Sequence, residues 1–151
     1  MKIVNGDLIK MALAGEFDVI VHGSNCFCNF GAGIAKQIRD ELPEAYRVDL
    51  QTTTGDRNKL GTYTTADIVR GDVKFTVVNA YTQYAYGRGG PHADYRAIQR
   101  VFAQVKQDYA GKRIGYPMLG AGLAGGDWNQ IYNIIRNELV SEDHTLVKFK
   151  Q

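Results

Sequence analysis

The chain has 151 residues, enough to bury one core without disulfide or metal staples and short for two domains. Hydrophobic residues make up 44% and charged residues 23%, the balance of an ordinary globular protein and not of a disordered or membrane-spanning one. A formal charge of +2 gives no ground for direct, sequence-specific nucleic-acid binding, though it does not repel an anionic ligand.

Lys2 to Asn5 reads as a short opening strand, followed by a brief helix around Asp7 to Ala14. Asp18 to His22 is a buried strand with Val19, Ile20 and Val21 at its centre. Gly33 to Glu41 is helical, and Pro43 restarts a helix towards Leu50, since proline suits a first turn. Thr52 to Lys59 is polar and holds a Gly55-Asp56 turn. Gly61 to Ile68 is rich in β-branched and aromatic residues, and Arg70-Gly71-Asp72 turns the chain into Val73 to Ala80, so the two segments predict a hairpin. Tyr95, Ile98, Val101, Phe102, Val105 and Tyr109 recur at spacings of three and four, which predicts an amphipathic helix over 94–109. Arg113 to Met118 predicts a strand, Asp127 to Val140 a helix, and Thr145 to Lys150 a last strand. Asp127 and Gln130 resemble a capping box. Strands alternate with helices except at the hairpin. The expected fold is therefore α/β, a three-layer α/β/α sandwich with a mixed, mostly parallel central sheet, with residues 1–151 forming one domain.

Two glycine-rich loops stand where a strand hands over to a helix. The first is Gly31-Ala32-Gly33, and the second runs from Gly120 through Ala121, Gly122, Leu123, Ala124 and Gly125 to Gly126. Glycine lets a backbone approach a ligand closely, and a helix N-terminus supplies N–H groups and positive partial charge. One such loop suggests a phosphate; two suggest a diphosphate gripped from both sides. The bland alternative is that the glycines only permit tight turns, but a run of seven side-chain-poor positions is costly in backbone entropy without a ligand. Gly120-x-Gly122-x-x-Gly125 also matches a dinucleotide fingerprint, yet it comes too late in the chain to open a complete βαβ unit with its acidic residue. No Gly-Lys-Ser/Thr follows either loop, which excludes a triphosphate P-loop.

Cys26 and Cys28 lie too close in sequence for an ordinary disulfide and have no second pair to complete a zinc site; small reduced thiols are expected. The three histidines are scattered, so no metal site is expected. His22 follows a buried strand and can hydrogen-bond inside the fold, whereas His144 reads as a surface residue. The N-terminus turns polar too soon for a signal peptide and nothing approaches the length of a membrane span; a cytoplasmic protein with no membrane association is expected.

Gly6-Asp7-Leu8, Gly23-Ser24-Asn25-Cys26 leading into Gly31-Ala32-Gly33-Ile34-Ala35, and the late Gly120-Ala121-Gly122-Leu123 run together resemble a macrodomain, the ADP-ribose-binding α/β/α module. The match in order and spacing extends over nearly the whole chain. It is nearest to two branches, ADP-ribose 1″-phosphate phosphatases and hydrolases that remove ADP-ribose from glutamate, and it looks like the compact macrodomains of tailed bacteriophages. The resemblance implies that Asp7 accepts from the adenine amino group with Leu8 packed nearby. Gly31, Ala32, Gly33, Ile34 and Leu119, Gly120, Ala121, Gly122, Leu123, Ala124 would wrap the diphosphate and distal ribose. Asn25 would bind the distal ribose hydroxyls, with Asn29 in the same loop. Phe149 lies either against adenine or in the sheet.

The chain departs from the glutamate-deconjugating branch in having Ala124 where that branch has aspartate, and no lysine near Asn79-Ala80-Tyr81-Thr82-Gln83. That leaves Asn25, His92 and Asp127 as candidate catalytic residues. His92 sits in a glycine-rich loop, 86–95, that could close over the distal end with Arg88 on a terminal phosphate; it is otherwise an exposed loop histidine. Asp127 is otherwise a helix cap. The expected activity is metal- and cofactor-independent hydrolysis of a distal-ribose derivative, with ADP-ribose 1″-phosphate favoured. The alternatives are a reader of ADP-ribosylated macromolecules without turnover, a de-ADP-ribosylating glycohydrolase, and a nicotinamide-dependent oxidoreductase.

Overall fold

The run Val19-Ile20-Val21 is buried on both faces, as the middle strand of a two-sided sheet must be. A computed structural model describes residues 2–122 and 124–149; Leu123 of the expected phosphate cradle lies outside the described residues. In chain order the elements are β1 (Lys2–Gly6), α1 (Leu8–Leu13), β2 (Val19–Ser24), α2 (Gly33–Glu41), α3 (Pro43–Leu50), β3 (Tyr63–Arg70), β4 (Val73–Tyr81), α4 (Tyr95–Asp108), β5 (Ile114–Tyr116), α5 (Trp128–Glu138) and β6 (His144–Phe149). The strands form one sheet in the order β1-β6-β5-β2-β4-β3. Every pairing is parallel except the β3–β4 hairpin, whose turn at Gly71 needs the positive φ of 62° that glycine supplies. The expected mixed α/β/α sandwich is the fold observed.

Successive side chains of β2 serve opposite layers. Val19 and Val21 join Val78 and Ala80 of β4 against Ile98, Val101, Phe102 and Val105 of α4 and Ile131 and Ile135 of α5. Ile20 joins Val77 and Val147 against Leu8 and Ile9 of α1, Ile38 of α2 and Ala45 of α3. Each fully buried side chain of this size contributes about 1.5–3 kcal/mol, so the two clusters fix which helices cover which face. Among the described residues, no helix is long and apolar enough to cross a membrane.

Three helices start on an aspartate cap. Asp7 Oδ1 accepts from Lys10 N at 3.0 Å, Asp94 Oδ1 from Ala97 N at 2.9 Å, and Asp127 Oδ1 from Asn129 N at 2.9 Å. The last differs from the capping box expected with Gln130, because the Asp127 carboxylate reaches the second helical N–H and not the third. Strand β5 is also shorter than 113–118. Arg113 N instead donates to Asp18 Oδ2 at 2.8 Å, and Pro117 has no N–H to extend the ladder.

Two histidines are structural. His22 Nε2 lies 2.7 Å from Asn79 Oδ1. The Asn79 amide nitrogen is committed to Ala45 O and Thr64 Oγ1, so His22 is the donor and carries its proton on Nε2. His144, expected on the surface, is buried, with Nδ1 2.7 Å from Tyr116 Oη and its ring stacked on that tyrosine. The sequence around it, Glu142-Asp143-His144-Thr145, is polar, but β6 is an interior strand and carries the ring inside. Burial lowers the pKa of both, to about 4 for His22. Each is therefore neutral when folded and protonates more readily when unfolded. Their contribution is present above pH 6.5 and is lost as the pH falls through the folded values, by roughly 3 kcal/mol for His22. The urea midpoint should therefore fall steeply between pH 6.5 and 4, and His22→Gln should flatten that slope. An unchanged slope would remove His22 as its source.

Candidate functional site

All five parallel strands point their C-terminal ends to one rim. That rim therefore gathers Gly6-Asp7-Leu8 after β1, the 25–32 loop after β2, the 82–94 segment after β4, the 117–127 loop after β5 and Phe149 at the end of β6. From β2 the chain crosses towards β4 and β3; from β5 it crosses the other way, to β6. The two glycine loops thus leave neighbouring strands in opposite directions, and a crevice opens between them, the place where open α/β sheets bind ligands.

The crevice holds two adjoining cavities. One, of about 290 Å³, is lined by Ser24, Asn25, Asn29, Gly31, Ala32, Leu119, Gly120 and Ala124, with Gln83, Tyr86, Gly87 and Met118. The other, of about 880 Å³, is lined by Asp7, Leu8, Lys36, Gln37, Asp40, Val147 and Phe149. Gly33, Ile34, Pro117 and Gly122 line both, so the cavities meet between the start of α2 and the β5–α5 loop. At that junction α2 begins after Ala32 with no side-chain cap, in contrast to the aspartate-capped helices, and with no acidic residue in its first turn. Helix N–H groups without a side-chain acceptor are a site for an anion.

The glycines have different reasons to be there. Gly120 and Gly125 have φ of 77° and 72°. A Cβ at Gly126 would meet Gly120 O at 2.6 Å, and one at Gly23 would meet Thr82 Oγ1 at 2.8 Å. Those positions serve the backbone. Gly122 is different: among the described residues, nothing beyond its chain neighbours lies within 4 Å of where its Cβ would be, and its φ is not in the left-handed region. Loop closure accounts for Gly120, Gly125 and Gly126, while Leu119, Gly120, Gly122 and Ala124 of the same segment line the smaller cavity.

Asn25 is 7% exposed and holds its own loop. Its amide donates to Asn29 O at 2.8 Å and its Oδ1 accepts from Phe27 N at 2.9 Å, which leaves one N–H and one lone pair for a ligand. Asn29 Oδ1 accepts from Gly31 N at 3.0 Å. Asp7 caps α1 and also lines the larger cavity, and Phe149, paired with Gly6 at the end of β6, is 61% exposed and lines that cavity too. Ser24 Oγ, in the smaller cavity's lining, is buried with no partner among the described residues, a polar atom that a ligand or water can satisfy.

Three expected residues stand apart. Ala121 packs against the core cluster of α4 and α5. His92 lines neither cavity: its Nε2 lies 2.9 Å from Gly87 O, and its N–H donates to Ala124 O at 2.7 Å. The far end of the 86–95 loop is thus tied to the late glycine loop. Asp127 caps α5 and lines neither cavity. Tyr86 is the one titratable side chain lining the smaller cavity among the described residues. No group of three or more His, Cys, Asp or Glu able to hold a metal occurs among them. Ser24, Gln83, Tyr86, Gly87 and Met118 were not singled out as site residues. Their signal was positional, since each follows or ends a strand whose C-terminus reaches the rim.

No protein-family model matches the chain. An uncharacterized 17.5 kDa protein of the tk-vs intergenic region of Enterobacteria phage T4 is 33% identical over 140 residues, covering 89% of this chain and 87% of that protein. Among solved structures, the macrodomain of Thermus aquaticus DarG superposes with a TM-score of 0.72 at 20% identity, over 99% of this chain and 97% of its own. Thermosipho africanus DarTG, solved in complex with ADP-ribose, superposes with a TM-score of 0.76 at 14% identity, over 98% of this chain and 41% of its own.

Proposed function

The chain is a macrodomain by fold and belongs to one family with the phage T4 17.5 kDa protein, and from that premise we propose that its crevice binds ADP-ribose. The observation that carries this reading is the junction of the two cavities. There the uncapped start of α2 faces Gly122, a glycine with open space where its side chain would be. A diphosphate at the junction puts one nucleoside arm in each cavity. Adenine lies in the larger one, its amino group donating to Asp7 and its ring against Phe149. The distal ribose lies in the smaller one, with Asn25 and Ser24 Oγ on its hydroxyls. The ADP-ribose complex of the T. africanus protein supports the ligand class.

Calorimetric titration with ADP-ribose, with NAD as comparison, tests it. Affinity in the micromolar range, about −8 kcal/mol, with little response to NAD, is expected; no heat with ADP-ribose overturns the reading. Asp7→Ala should weaken binding roughly tenfold and cost about 1 kcal/mol of stability as a lost cap. Asp7→Ser restores the cap but not the reach to adenine, so stability should recover while affinity does not. Recovery of both would assign Asp7 to the cap alone.

A hydrolytic reading is favoured by one observation: His92 holds Gly87, a wall of the distal cavity, through its Nε2. In it, ADP-ribose 1″-phosphate places its terminal phosphate beside this loop, and release of that phosphate relies on positioning and fixed dipoles. His92→Ala should then slow phosphate release while leaving the affinity for ADP-ribose nearly intact. An unchanged rate takes His92 out of the chemistry. Binding of ADP-ribose without phosphate release would favour the other two readings, a reader of ADP-ribosylated macromolecules without turnover or a de-ADP-ribosylating glycohydrolase.

A further inference from the structure

Around Cys28 of the 25–32 loop, outside the linings of both cavities, lies a cluster that the proposed ADP-ribose site does not use. The Cys28 thiol donates to the Asp49 main-chain oxygen at 3.4 Å, and its sulfur is also approached by Thr52 Oγ1 at 3.4 Å, Thr54 Oγ1 at 3.5 Å and Lys59 Nζ at 3.8 Å. Lys59 is 8% exposed, and its ammonium donates to Cys26 O at 3.0 Å and Thr53 O at 3.3 Å. No carboxylate lies within ion-pair distance of it among the described residues. Asp49 is fully buried. Its Oδ1 accepts from Tyr81 Oη at 2.7 Å, while Oδ2 has no hydrogen-bond partner among the described residues. Burial raises the Asp49 pKa, and the Cys28 thiol is among the groups acting on that carboxyl. A half-buried thiol thus sits with a cation and a hydroxyl donor, next to a buried carboxyl-bearing residue whose main-chain oxygen it bonds.

We propose that Cys28 is a peroxide-reactive thiol, oxidised to the sulfenic acid, and that this modification loosens the nucleotide loop. The Cys28 sulfur, held by Lys59 and Thr54, attacks one oxygen of hydrogen peroxide. The S–O bond forms as the O–O bond breaks, and the departing hydroxide takes up the thiol proton and leaves as water. Sulfur is oxidised by two electrons and peroxide is reduced by two. Cys26 provides the internal contrast: it is buried, its thiol donates to Gln83 O, and burial raises its pKa, the profile of an inert thiol.

The consequence for the loop follows from chain geometry. Cys28 has a φ of 56°, unusual for a residue with a side chain, and its carbonyl accepts from Tyr46 Oη. It directly precedes Asn29, whose carbonyl and side chain hold Asn25 and Gly31. An oxygen added at Sγ has to displace one of the groups packed around it, and the displacement reaches Asn29 first.

The test treats the intact protein with a small molar excess of hydrogen peroxide, traps sulfenic acid with a 1,3-dicarbonyl reagent and maps the adduct by peptide mass. Cys28 should be labelled at least about tenfold faster than Cys26 and than free glutathione. Cys28→Ser should abolish the label. A Thr52→Val, Thr54→Val double variant should slow it without touching Lys59, whose replacement risks the fold. Labelling of Cys28 no faster than glutathione overturns the proposal. The second readout rests on the ADP-ribose reading: oxidised protein should bind ADP-ribose about tenfold more weakly, and thiol reductant should restore it. Full affinity after complete Cys28 oxidation would overturn the coupling to the loop. The labelling result stands even for a protein that binds no ADP-ribose, so the two failures are distinguishable.

Discussion

Glutamate in place of Gly122 is expected to leave the protein folded and to weaken ADP-ribose binding by at least about 100-fold. The structural half of that expectation rests on space. A Cβ at this position meets no atom of the described residues within 4 Å beyond its chain neighbours, and the backbone is not in the left-handed region that favours glycine. The functional half rests on charge. Gly122 lines both cavities at their junction, where the diphosphate is proposed to lie against the start of α2. Two unit charges about 4 Å apart repel by about 4 kcal/mol at an effective dielectric of 20, and 2.7 kcal/mol already accounts for about a hundredfold. Gly122→Gln carries the same bulk without the charge and should bind better than the glutamate variant. Thermal melting and calorimetry on the same samples read the two halves separately. A glutamate variant that binds like the parent would move the phosphates away from this junction.

Much of the fold was legible because it depends on local pattern. Ile98, Val101, Phe102 and Val105 predict α4 by spacing alone, and Pro43 announces α3. The rim was legible in outline too, because Asp7, Gly33 and Gly122 belong to short motifs at strand ends. What was not legible depends on sheet order. Gln83 and Tyr86 join the site because β4 lies beside β2, and nothing in their own neighbourhood states that pairing. His144 sits in a polar stretch and is buried because β6 lies between β1 and β5. The packing reasons for part of the late glycine run depend on tertiary closure too. That Gly126 must approach Gly120 O, and Gly125 the ring of Pro91, follows from how the β5–α5 loop closes on the 91–93 segment, and a list of residues does not carry that.

Gly126→Ala is expected to destabilise the protein by about 3 kcal/mol, although it adds one methyl group and lies outside both cavity linings. Gly126 N donates to Gly120 O at 2.8 Å and closes the loop. The added Cβ would stand 2.6 Å from that same oxygen, 2.8 Å from Ile131 Cδ1 and 2.9 Å from Ala93 Cβ. The end of Ile131 can rotate, and the other two cannot move as cheaply. Gly120 is fixed by its φ of 77°, and Ala93 N, like His92 N, is bonded to Ala124 O within the same loop. Relief requires breaking the Gly126–Gly120 bond, which leaves a backbone donor and acceptor unpaired at about 1–3 kcal/mol, with a further overpacking cost of similar size. For a domain of this length the melting temperature should drop by roughly 6–12 °C, and ADP-ribose affinity should fall with it, because the loop that moves also carries Gly122. Gly122→Ala, with the same added methyl four residues earlier, should melt like the parent. If both alanine variants melt alike, the loop is not closed by the Gly126–Gly120 contact. If only Gly126→Ala is destabilised, the run contains glycines the chain needs to fold, and Gly122 stays open for the ligand.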